Sequence, residues 1–185
     1  MRSLRIKQVV ALVVLLSIVG LSQAFVSTSL ASDEVRSVDL PSPLCDSLRA
    51  SAESQLAFHA YAIGVQVYRW NGTAWVFVEP RATLYADATY HGKVGIHYVG
   101  PTWESNSGGK VVATRVVGCT PDPTAIAWLR LQTVSNEGPG IFDSVTEIQR
   151  VNTVGGTAPV APGTAVGAIT EVPYTAEYFF YRPPE

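Results

Sequence analysis

The chain has 185 residues, 47% hydrophobic and 15% charged, with 13 Lys+Arg against 15 Asp+Glu for a formal net charge of −2. No run of basic residues follows the first few positions, which argues against a nucleic-acid partner, since phosphate recognition needs a positive patch. The length suits one domain, large enough to bury a core of its own.

The opening MRSLRIK carries three positive charges and precedes VVALVVLLSIVGL, an apolar run too short for the roughly 20 residues of a membrane span. Small-x-Ala endings follow at Ala24 and Ala31. This layout predicts a signal peptide over residues 1–24, with cleavage after residue 31 as the alternative. An uncleaved anchor is the competing reading. Cleavage removes Arg2, Arg5 and Lys7 and no acid, so the basic count falls from 13 to 10 against 15 acids, a net charge of −5. The expected product is exported, periplasmic or extracellular, with no stable membrane span after cleavage.

Residues 32–55 form a polar arm with Pro41 and Pro43. Within it CDSLRASAESQL predicts a short helix with Asp46 as its cap. From residue 56 to 185 the pattern changes to short segments rich in Val, Ile, Thr and aromatics, separated by Gly, Pro, Asn and Ser. This predicts an all-β domain, a single β-sandwich or partly closed barrel. Asn71-Gly72 between two apolar strands is a strong hairpin signal, and Asn71-Gly72-Thr73 is also a glycosylation sequon. Residues 154–170 carry no charge and few large side chains, which predicts a long surface loop. Cys45 and Cys119 are a disulfide candidate in an oxidising compartment. Two separately buried thiols are the alternative, and spacing alone does not decide.

In combination, AIGVQVYRW, GIHYVGPTWES, IQRVNTVGGTAP and VPYTAEYFFY are distinctive, and over roughly residues 55–182 the chain resembles the exported proteins of bacteria and fungi catalogued as domain of unknown function 3455. The resemblance implies no established activity. It does imply two departures. Trp70 stands where relatives usually have a cysteine, and residues 160–170 lack a second cysteine found there. The two absences together imply that the long loop lost a staple. Pro80-Arg81-Ala82 and Gly108-Gly109-Lys110 each replace a segment that carries an acid in relatives.

Catalytic signatures are sparse. There is no His-x-His pair, and His59, His91 and His97 are dispersed, so no metal site is assigned. There is no Gly-x-Ser-x-Gly elbow, and the carboxylates are scattered singly, which does not define a glycosidase pair. No strand-to-helix Gly-x-Gly-x-x-Gly exists to hold a dinucleotide, and no cofactor is expected. Aromatic residues with polar tips crowd the middle of the chain and suit a ligand platform. The candidate ligand-binding residues are Tyr68, His97, Trp103, Glu104, Arg150 and Asn152. Trp103 has packing as its competing role. Arg150 and Asn152, two apart, should share one face of a strand, although a structural pairing of Arg150 with Glu104 or Glu147 is the simpler reading. The expected function is a non-enzymatic β domain that binds a small molecule, carbohydrate or protein outside the cytoplasm. A hydrolytic or metal-assisted enzyme using the His97–Glu104 loop is one alternative, and a stress-related structural protein is another.

Overall fold

The computed structural model describes residues 38–185; the expected signal peptide lies outside them. Eight strands follow in chain order: β1 (Gln55–Trp70), β2 (Trp75–Tyr85), β3 (Lys93–Tyr98), β4 (Thr102–Ser105), β5 (Lys110–Cys119), β6 (Trp128–Glu137), β7 (Glu147–Gly155) and β8 (Ile169–Arg182). Each pairs antiparallel with the next, and β8 pairs along nearly its whole length with β1, closing the sheet. The all-β expectation therefore resolves into a closed up-and-down barrel rather than a sandwich. Closure leaves none of the eight described strands as an edge to template association.

Alternation along the strands sorts the two faces. At the middle of β1 the inward positions are small, with Ala60 and Ala62 buried, while β8 projects Tyr174, Tyr178 and Phe180 into the same interior. Small residues on one wall leave room for large ones on another, as an eight-stranded barrel requires. One end of the interior is plugged by the β6–β7 connection. Phe142 packs against Phe180 with ring centroids 4.9 Å apart and against Phe58 at 6.5 Å. The Asn136 amide donates to the carbonyls of Phe142 and Val145, holding the plug in place.

A second apolar cluster lies between the outer wall and the arm. Leu40, Cys45 and Leu48 pack with Cys119, Trp128, Val151, Phe179 and Tyr181. Cys45 and Cys119 form a disulfide with Cα atoms 5.5 Å apart, so the arm is tied to the end of β5.

The helix expected within residues 45–56 is reduced to one 3-10 turn, Asp46–Leu48. The groups that would bond within a longer helix are taken by the barrel. Ser47 O accepts from Arg130, Leu48 O from the Gln149 amide, and the Ser51 N–H donates to Glu147. Cys45, not Asp46, occupies the cap position. The Asp46 carboxylate accepts instead from Ser42 Oγ and Arg49.

The predicted hairpin after β1 is present, with Asn71 Oδ1 accepting from the N–H groups of Thr73 and Ala74. The long loop between β7 and β8 is held by tryptophans. Trp75 Nε1 donates to Ala161 O at 2.8 Å, and Trp70 exchanges backbone bonds with Gly167 and Ala168. Gly163 lies so close that a Cβ there would stand 2.5 Å from the Trp70 ring. The position at which the resemblance implied a lost staple thus carries a ring on which the loop is seated.

Candidate functional site: a cavity at the open end of the barrel

The β3–β4 hairpin builds one wall of the site. Its register sets His97 opposite Trp103 and Ile96 opposite Glu104. Partners share a face, so the first pair points into the barrel and the second points out. Trp103 is 1% exposed and His97 3%, and their rings stack at 4.3 Å. Tyr178 of β8 meets both edge-on, at 5.2 Å from His97 and 5.4 Å from Trp103.

Above this aromatic group the barrel opens into a cavity of about 620 Å³. Tyr68, Phe77, Trp103 and Tyr178 supply its aromatic walls, and Ala125, Ile126 and Ala127 of the β5–β6 connection its rim. Gln66, His97, Arg115 and Arg150 are the strongly polar residues bordering it. The volume lies in the range that encloses a small organic molecule. Gly155 and Gly156 lead into Thr157 and Ala158, which line the cavity. At φ of 66° and 80°, a conformation natural to glycine, the two glycines turn the Gly156 carbonyl to accept the Tyr68 hydroxyl at 2.7 Å.

The interior is electrically simple. His97 Nδ1 faces the carbonyl of Thr102 at 2.8 Å; a carbonyl only accepts, so Nδ1 carries the proton and Nε2 is bare. Burial, aided by the nearby Arg150 charge, pushes the His97 pKa down to about 3 against the opposing pull of the Thr102 carbonyl. The imidazole is neutral at any ordinary pH. Burial likewise raises the pKa values of Tyr68, Tyr174 and Tyr178, with Arg150 acting in the opposite direction, so these phenols stay protonated.

Four of the six residues singled out in the sequence, Tyr68, His97, Trp103 and Arg150, border this one cavity. Glu104 does not. It stands on the outer face, accepting from the Tyr98 hydroxyl at 2.8 Å with Lys110 Nζ 3.7 Å away. His97 and Glu104 are therefore separated by the barrel wall and cannot act as a catalytic pair. Asn152 also lies outside. A bulge between Val151 and Val154 breaks the two-residue alternation, and Asn152 takes φ 49° and donates to Glu177 Oε1 at 2.9 Å. Asparagine tolerates that left-handed conformation better than most residues. The shared face expected for Arg150 and Asn152 is thereby lost.

The expected pairing of Arg150 with Glu104 or Glu147 is also absent. Glu147 is engaged outside the barrel, by Arg130 at 3.2 Å and by the hydroxyl and N–H of Ser51. Arg150 Nε and Nη2 both donate to the Ala127 carbonyl, at 3.2 and 2.8 Å, and so anchor the rim. Among the described residues no group of three or more His, Cys, Asp and Glu is placed to hold a metal ion.

Sequence reasoning missed Gln66, Arg115 and Tyr178. Gln66 carried a signal, since it is the one amide among small or aromatic inward positions of β1. Tyr178 follows from the same alternation along YTAEYFFY. Arg115 sits at a register shift between β5 and β6, which no local pattern announces.

The sequence matches the family described as protein of unknown function (DUF3455) over residues 50–182, and the chain belongs to that family. The match begins within the arm and ends with β8, so it spans the whole barrel. No curated protein and no solved structure matches the chain.

Proposed function

We propose that this is an exported, non-enzymatic binding protein that holds a small organic molecule in the open end of its barrel. One observation carries the reading: a cavity of about 620 Å³ walled by aromatic and apolar side chains, with a few polar groups at its border. That is the usual make-up of a small-molecule site. Among the described residues no carboxylate, serine or cysteine borders the cavity, and its histidine is held neutral with one nitrogen committed to a carbonyl. These features favour holding a molecule over transforming it. The outer wall carries charge at mid-strand among exposed apolar residues such as Ile63 and Ile96. Arg81 at mid-strand pairs with Glu79 at 3.3 Å and with Glu171 at 2.8 Å across the wall, whereas a membrane barrel presents an apolar outward band. Among the described residues no helix is long and apolar enough to cross a membrane. The disulfide fits an oxidising compartment.

The test is a fluorescence titration with the neutral dye N-phenyl-1-naphthylamine. Saturable one-to-one binding is expected. Ala158→Trp, at an exposed position of the rim, should weaken it at least tenfold without lowering the melting temperature. Absence of binding by the native protein, or equal binding by the variant, would overturn the proposal.

A further inference from the structure

The charges of the described chain are distributed unevenly. Acids outnumber bases, 15 to 13 over the whole sequence, yet among the described residues no acid borders the cavity while two arginines, Arg115 and Arg150, do. Neither arginine makes an ion pair among the described residues, although six Lys/Arg–carboxylate pairs occur elsewhere among them. Arg115 is exposed at the rim, but Arg150 is half-buried beside the cavity. Its neighbours leave its charge uncompensated, since His97 is neutral and Tyr68, Tyr174 and Tyr178 remain protonated. A guanidinium withdrawn from water without a counter-charge is costly to a fold. Retaining one here makes physical sense if something that enters the cavity supplies the negative charge.

We infer that the cavity selects an organic anion, an apolar molecule bearing one carboxylate, with the carboxylate docked on Arg150. The inference rests on the binding reading above. The geometry of Arg150 favours a planar headgroup. Nε and Nη2 already share the Ala127 carbonyl, which fixes the guanidinium, and its remaining N–H groups are shared between the adjacent Tyr178 hydroxyl and an entering carboxylate, a planar acceptor that suits a guanidinium. Gln66, 2% exposed, borders the same cavity and its Nε2 makes no hydrogen bond of ordinary geometry, although the Tyr174 hydroxyl is near. Trp103 Nε1 is likewise buried and unpartnered. Gln66 Nε2 and Trp103 Nε1 are therefore donors left for a ligand on this wall, and the bare His97 Nε2 is an acceptor. A doubly charged phosphate would leave charge uncompensated by the single inner arginine. The aromatic walls then receive the apolar body of the ligand.

The experiment compares 1-naphthaleneacetate with 2-(1-naphthyl)ethanol by calorimetry, two compounds of one skeleton that differ in the charged head. The acid should bind at least tenfold tighter than the alcohol. Arg150→Gln should abolish the preference while leaving alcohol binding in place, and Arg150→Lys should retain part of it. Arg81→Gln removes the same charge from the outer wall and should change nothing. Equal binding of acid and alcohol by the native protein, or a preference that survives Arg150→Gln, would overturn the anion inference and leave the binding barrel standing. Failure of the native protein to bind either compound and N-phenyl-1-naphthylamine would overturn both. Melting curves show whether Arg150→Gln folds; should it not, the native comparison and Arg150→Lys decide.

Discussion

His97 is the residue whose environment departs furthest from water. It is enclosed by Trp103, Tyr178, Arg150 and the Thr102 carbonyl. With its folded pKa near 3 and an unfolded value near 6.5, the unfolded chain binds the extra proton between those limits. Stability from this group is complete above pH 6.5 and is lost as pH falls toward 3, on the order of 5 kcal/mol in total. Asp46, Asp87 and Asp122, held low chiefly by side-chain hydrogen bonds from Ser42, Thr89 and Thr124 respectively, act in the same direction but only below about pH 4. Urea unfolding of the native protein and of His97→Gln at pH 7, 5.5 and 4.5 isolates this histidine, because His59 and His91 are common to both. The native protein should weaken steadily over that range and His97→Gln much less. Parallel pH profiles for the two proteins would refute the assignment.

At the scale of elements, the β7–β8 connection shows how a loop without a covalent staple is held. Its attachments are local: the Trp75 indole on Ala161 O, backbone bonds to Trp70, and the Trp70 ring beneath Gly163. Trp70 and Trp75 meet edge-to-face at 5.5 Å, so the two residues at the ends of the hairpin act together. Trp75→Phe keeps the ring and removes one hydrogen bond, which should cost about 1 kcal/mol. The effect should be local, because the barrel's closure does not pass through this loop. Amide exchange within residues 157–168 should accelerate while the β8 core amides around Tyr178 keep their protection. Uniform acceleration across β8 would show instead that the loop and the barrel open as one unit.

For the molecule as a whole, the disulfide and the β1–β8 seam set the architecture. The bridge joins residues 74 apart, and the chain-entropy argument assigns a loop of that size about 4 kcal/mol. Replacing both Cys45 and Cys119 by serine should lower the unfolding free energy by roughly that amount, read by urea denaturation. Binding at the cavity should persist, since the bridge lies on the outer wall and none of the cavity's walls comes from the arm. A double variant as stable as the native protein would mean that the apolar contacts of Leu40 and Leu48 hold the arm unaided.

What the amino-acid order determined by itself was local. Period-two alternation and β-branched, aromatic composition specified strands; Asn71-Gly72 specified a hairpin; the uncharged run after Gly155 specified a loop. The residues of the cavity wall were legible to the extent that they were aromatic or basic within strands, as Tyr68, His97, Trp103 and Arg150 were. Alternation says that neighbours face opposite sides, but not which side is inside. That was decided by long-range pairing, above all of β1 with β8, which closed the sheet and gave it an interior. Closure put Glu104 outside while Trp103 went in, and one bulge at Asn152 reversed a local expectation. The lack of a carboxylate partner for Arg150 among the described residues, and the meeting of Cys45 with Cys119, were tertiary outcomes for the same reason: each depends on where segments distant in sequence come together, and no local period encodes that distance.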